Sequence, residues 1–129
     1  MPKKEIVVPT NAPKANGPYS AANRYGDLVF TAGQLGIDPA NGNLVEGGIE
    51  EQTRQALINL KNVLEAAGSS LDNVLKTTVY LKDIGNFGLM NGVYGMFFLQ
   101  DFPARSAFEV AALPLGAEVE IEAVACLAN

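Results

Sequence analysis

A chain of 129 residues with 48% hydrophobic content can fill the core of one domain, residues 1–129. It has no histidine and one cysteine, which excludes a Ser-His-Asp triad, a Cys-His pair, the common zinc sites and an intrachain disulfide. A net charge of −5, with the nine basic residues scattered, leaves no stripe to track phosphates, so nucleic acid is not expected as a main partner.

In chain order, Ile6-Val7-Val8 reads as a first strand, and Pro9 to Pro18 as a loop. Tyr19-Ser20-Ala21-Ala22 reads as a strand entered through a Gly17-Pro18 turn, and Asn23 to Asp27 as a turn. The near-continuous apolar run Leu28 to Gln34 suits a buried strand, with Gly33 marking a bulge or a close approach to the backbone. Asp38 to Asn43 is a loop with an Asn-Gly turn signal. Ile49 to Ala67 is an amphipathic helix. Its stripe is Ile49, Thr53, Ala56, Leu57, Leu60, Val63, Leu64 and Ala67, Glu50 and Glu51 favour its N-terminus, and Gly68 stops it. Leu75 to Lys82 alternates as a strand with Leu75, Thr77, Val79 and Leu81 on one face. Asn86 to Phe98 is a second helix with an aromatic stripe. Gly88, Gly92 and Gly95 each cost it about 1 kcal/mol relative to alanine but allow close approach to the sheet or a neighbour.

The last quarter reads as two strands around a turn at Leu113 to Ala117. Arg105 sits at the mouth of the first strand. In the second, Val119, Ile121, Ala123 and Ala125 alternate with Glu118, Glu120 and Glu122. The expected fold is therefore α+β: a mixed six-stranded sheet with two helices on one face. The uncovered face, expected to carry Val119 and Ile121, needs a second copy of the protein as cover. A hairpin centred near Leu115 puts Glu120 opposite residue 110 and Arg105 five residues further on, roughly 17 Å away. Arg105 and Glu120 would then serve one ligand only across a subunit boundary. No run approaches the ~20 apolar residues of a membrane helix. The N-terminus is charged too early for a signal peptide, and the lone Cys126 suits a reducing, cytoplasmic setting.

Several ordered segments carry a resemblance: Ala12-Pro13, Gly17-Pro18-Tyr19-Ser20, Phe30-Thr31-Ala32-Gly33-Gln34, Glu50 to Leu57, Glu65-Ala66-Ala67-Gly68 and Lys76 to Leu81. Asn91 with Tyr94, Pro103-Ala104-Arg105-Ser106, Val110 to Pro114 and Val119-Glu120-Ile121-Glu122-Ala123 complete it. On these segments the chain resembles the Rid (YjgF-type) family of imine and enamine deaminases. The resemblance implies a chorismate-mutase-like fold and a homotrimer with ligand clefts between subunits. It implies hydrolysis of 2-imino acids, such as 2-aminoacrylate and 2-iminobutanoate, to 2-oxo acids and ammonia, with no cofactor and no metal. It assigns Arg105 to the substrate carboxylate, Glu120 to the attacking water, Tyr19 to the cleft wall, the Gly33 backbone to the ligand carboxylate and Asn91 to the pocket side.

Ala32 stands where many members have serine and Ala107 where many have cysteine. Asn16 and Ala21 replace the usual isoleucine and glutamine. The two alanines leave a second reading, a non-catalytic carboxylate-binding regulatory trimer. A third, nucleic-acid cleavage, is disfavoured by the charge and the missing histidine.

Overall fold

The computed structural model describes residues 1–128. Seven strands form one mixed sheet: β1 (Glu5–Val7), β2 (Ala22–Tyr25), β3 (Leu28–Thr31), β4 (Gln34–Leu35), β5 (Val74–Leu81), β6 (Ala104–Glu109) and β7 (Val119–Cys126). Their order is β1-β2-β3-β7-β5-β6, with β4 also paired to β7. Only β5 and β6 run parallel, joined by a crossover through the second helix. The two helices, α1 (Gly48–Ala66) and α2 (Phe87–Phe97), lie together on one face.

Helix α1 follows its periodicity closely. Every residue of the expected stripe is buried, and Leu57, Leu60, Val63 and Leu64 are wholly so. Each such aliphatic side chain contributes about 1.5–3 kcal/mol of transfer free energy. Gly68 takes φ +87, which costs a residue without Cβ nothing. It donates to the Glu65 carbonyl while Ser69 donates to Leu64, which closes the helix in a Schellman motif. Asn59 is fully buried on this helix, and its amide donates to the Leu35 and Ile37 carbonyls at 3.0 and 2.8 Å. It therefore ties α1 to the chain leaving β4. Asn59→Ala leaves two buried carbonyls unpaired and is expected to lower the unfolding free energy by about 2–4 kcal/mol in urea titration.

Five expectations need correction. The sheet has seven strands, not six, because the run Leu28 to Gln34 breaks at Ala32-Gly33 into β3 and β4. That run is also not buried on both sides: Val29 is inside, while Leu28 and Phe30 are exposed. Tyr19 lies in a loop, and the strand follows at Ala22–Tyr25, where pairing to both β1 and β3 outweighs local turn preference. Leu75 is half exposed because a bulge between Val74 and Lys76 shifts the inward face, giving Val74 the buried position. The glycines of α2 meet nothing within 4 Å if given a Cβ, so in one chain they make no close approach.

A further correction concerns the closing strands. They are not a hairpin: β5 lies between β6 and β7. Val119 and Ile121 are fully buried beneath the helices rather than on the uncovered face. The acidic side of β7 is the outward one. With it lie Phe30 from β3, Tyr80 from β5 and Phe108 from β6, and Tyr80 and Phe108 meet edge to face at 5.4 Å.

Candidate active site

Arg105 is the second residue of β6 and faces the helices. It pairs in register with Thr77, whose buried hydroxyl lies 2.8 Å from the Tyr94 hydroxyl. Pro103 cannot continue a helix, and the strand begins directly after it. The guanidinium lies over the rings of Tyr94 and Phe87, 4.7 and 5.3 Å from their centres. Nη1 donates to Oδ1 of Asn91 at 2.7 Å. Arg105 makes no ion pair among the described residues, whereas Arg24 and Arg54 are both matched with carboxylates. A cation held by neutral groups, with most of its donors unspent, is suited to an external carboxylate.

Glu120 lies on the opposite face, at the β4 side of β7, paired across to Leu35 and Tyr80. The break between β3 and β4 brings Gly33 against its carboxylate. A Cβ at Gly33 would fall on the Glu120 side chain, so glycine is required here by packing. Burial, and then the charge of Glu122, hold the Glu120 carboxyl above the ordinary value for glutamate. Glu122 shares the outward face of β7 with Glu120. It is distinguished by its partner, since the Tyr80 hydroxyl donates to Glu122 Oε1 at 2.9 Å. Gly33→Ala is expected to displace the Glu120 side chain and let its carboxyl fall back towards the ordinary glutamate value, while shifting Tm by only a few degrees. Carbon-13 NMR titration of the carboxyl beside calorimetry checks this.

Tyr19 and Gly33 line one open groove of about 980 Å³, walled by the Pro9 to Asn16 loop, Gln34, Leu35 and the Pro114-Leu115 turn. The Tyr19 hydroxyl accepts from the Asn16 backbone N–H at 3.3 Å. Ala32 adjoins Gly33 and donates its backbone N–H to the Ala21 carbonyl. Ala107 follows Arg105 on the same side of β6 and packs against the core. The expected residues thus fall into two groups. Arg105, Asn91 and Ala107 gather on the helix side of the edge strand, while Glu120, Gly33, Ala32 and Tyr19 gather around the β3–β4 break. One intervening strand and three residues of register, roughly 10 Å along the strands, separate Arg105 from Glu120, and their side chains leave opposite faces. The 17 Å hairpin distance is superseded, yet the two groups still do not meet within one protomer. Sequence reasoning missed the aromatic bed under Arg105 and the Tyr80 clamp on Glu122. The stripe containing Phe87 and Tyr94 carried the first signal, and the tyrosine on the wetter face of β5 carried the second.

A mixed sheet backed by two helices on one face defines a class of small α+β proteins. The family model described as endoribonuclease L-PSP matches residues 9–127, and the chain belongs to this Rid (YjgF-type) family. A RutC family protein of Pyrococcus horikoshii is 52% identical over 122 residues, spanning 95% of this chain and 97% of that one. The 2-iminobutanoate/2-iminopropanoate deaminase of Mus musculus is 48% identical, spanning 95% and 90%. Among solved structures, E. coli TdcF with bound serine superposes with a TM-score of 0.91 at 36% identity, covering 96% of this chain and 99% of that one. No helix of the described residues is long and apolar enough to cross a membrane.

Proposed function

We propose that the protein hydrolyses reactive 2-imino and enamine acids, such as 2-aminoacrylate and 2-iminobutanoate, to 2-oxo acids and ammonia. It would work as a homotrimer whose clefts join Arg105 of one protomer to Glu120 of the next. The observation that carries this reading is the unpaired Arg105 guanidinium, poised by Asn91 over two aromatic rings. The relatives named as 2-iminobutanoate/2-iminopropanoate deaminases support it, as does a bound amino acid in a similar structure.

In this mechanism the guanidinium grips the substrate carboxylate with two parallel hydrogen bonds, and the Gly33 backbone N–H supplies a third. The fork fixes the plane of the imine. Glu120, ionised, takes a proton from water as the oxygen adds to C2 of the protonated imine. It returns that proton to the amine nitrogen of the carbinolamine, and as the C–N bond breaks it takes the hydroxyl proton and passes it to the departing ammonia. The 2-oxo acid and ammonium leave, and the enzyme is unchanged. A raised carboxyl suits both halves, because it accepts and donates near neutral pH. Tyr19 closes the cleft wall. The uncovered sheet face, with Phe30 and Phe108 beside its carboxylates, offers the surface for assembly. The single cysteine fits a reducing cytoplasmic setting.

The test generates 2-aminoacrylate or 2-iminobutanoate with a dehydratase and follows 2-oxo acid formation in the presence of an amine trap. Enzyme-dependent acceleration is expected. A rate equal to that without the protein, for several such imines, defeats the reading. The non-catalytic carboxylate-binding trimer is favoured by one observation: Ala32 and Ala107 bring no polar side chain to either group. It predicts saturable binding of 2-oxobutanoate in calorimetry without turnover. The word endoribonuclease in the family description has little support in this chain, where no histidine is present and the uncovered face is acidic.

A further inference from the structure

Glu120 does not stand alone on its face of the sheet. Strand alternation places Glu120 and Glu122 of β7 side by side, with Glu118 just before the strand. It sets Thr78 and Tyr80 of β5 along them, with Lys82 just past that strand donating its backbone N–H to the Glu118 carbonyl. The two ends of this row differ. Glu118 has a cation in reach, with Lys82 Nζ 3.8 Å from its Oε1. Glu122 has no cation within 4.0 Å among the described residues, with Lys76 two residues along the same face of β5, and is held instead by the Tyr80 hydroxyl at 2.9 Å. Tyr80 pairs in register with Glu120 itself, so its ring passes the Glu120 backbone to reach Glu122. Phe108, edge to face against that ring, limits its rotation. From the β3–β4 break Gly33 and Leu35 adjoin Glu120, and neither brings a charge.

We propose that Tyr80 and Glu122 are positioning residues for Glu120. They act as a fixed negative neighbour that sets the pH at which Glu120 exchanges its proton. This inference rests on the reading of Glu120 as the base of an imine hydrolase. A tyrosine donor suits the task because it fixes the Glu122 carboxylate without neutralising it, whereas a lysine or arginine in its place would cancel the field. Burial, and then the Glu122 hydrogen bond, push the Tyr80 phenol up to about 12, so it remains a donor throughout the working range. The arrangement explains why one carboxylate of three is kept ready to take a proton. Glu118 is matched to a cation, Glu122 is fixed as a source of negative charge, and Glu120 feels that charge.

The experiment is a carbon-13 NMR titration of the Glu120 carboxyl in the full-length protein, beside the pH profile of kcat/KM for 2-iminobutanoate. Wild type, Glu122→Gln, Tyr80→Phe and the double variant are compared. In Glu122→Gln the Glu120 midpoint and the acidic limb of kcat/KM are expected to move together to lower pH, while the part of the shift due to burial remains. Tyr80→Phe should move both in the same direction by less, because a loosened Glu122 swings into solvent. The double variant should match Glu122→Gln, since Tyr80 acts only through Glu122. An unmoved Glu120 midpoint in Glu122→Gln overturns the proposal. A further shift in the double variant overturns the role given to Tyr80. If the wild type hydrolyses no imine but Glu120 still shifts, the deaminase reading fails while the electrostatic coupling stands, so the two failures are distinguishable.

Discussion

Arg105→Ala should lower kcat/KM for 2-iminobutanoate about a hundredfold to a thousandfold, with most of the loss in KM. In the proposed mechanism the fork binds a carboxylate that carries its charge before, during and after reaction, so it would contribute equally to ground state and transition state. The magnitude follows from removing the cationic half of a desolvated pair, about 3–4 kcal/mol. The protein should still fold, because what the guanidinium touches are one amide and two ring faces. Each exposed cation–π contact contributes only about 0.5–1 kcal/mol. Arg105→Lys restores charge without the planar fork, and it should recover no more than about a tenth of the lost efficiency. Steady-state kinetics with circular dichroism as the folding control checks both variants. An unchanged KM in Arg105→Ala would show that the carboxylate is bound elsewhere.

Glu120→Gln should behave in the opposite way, with kcat falling about 10²–10⁴-fold and KM nearly unchanged. Glutamine fills the same space against Gly33 but cannot take the proton. The pH behaviour has a definite sign. The Glu120 carboxyl lies above its ordinary value because burial, and then Glu122, disfavour the ionised form. Wild-type activity should therefore fall as pH drops through that raised value. Stability runs the other way. The folded chain holds this proton more tightly than the unfolded chain, so stability is lost as pH rises from the unfolded value through the raised one. Above that window Glu120→Gln escapes the penalty and should melt on the order of a degree or two higher than wild type. The gain is small because the half-buried carboxylate keeps part of its water. Below the window the two proteins should melt alike, and scanning calorimetry at two pH values on either side makes the comparison.

Helix α1 was legible in the sequence because its signals are local. Apolar residues at steps of three and four, two acids in the first turn and a glycine just past the end all lie within one stretch. Strand β7 was legible in period but not in place. Alternation of Val119, Ile121 and Ala123 with glutamates shows that one side is buried, but the pattern is the same for a hairpin arm and for a central strand. What decides its place is pairing with β3 and β5, whose sequences lie far away. The same gap misled the reading of the uncovered face, where the apolar side of β7 was set outward. Leu75 failed for a smaller reason, since one bulge exchanges inside and outside for every residue before it. For the candidate site, Arg105, Glu120, Gly33 and Asn91 were named from motif likeness. The grouping of these residues on two faces depends on the position of β5 and could not be read from spacing.

The central position of β7 also bears on how the chain folds. The last of the seven strands in chain order is inserted between β3 and β5, so the earlier strands have no partner along their inner edges until β7 joins them. Sheet closure depends on contacts between distant parts of the chain, and such contacts form slowly. Folding of the sheet is thus expected to wait for β7, with two unjoined half-sheets exposed in the meantime to aggregation or chaperones. Because Glu120 lies on the strand that closes the sheet, a nascent chain cannot hold a completed cleft before it holds a completed fold.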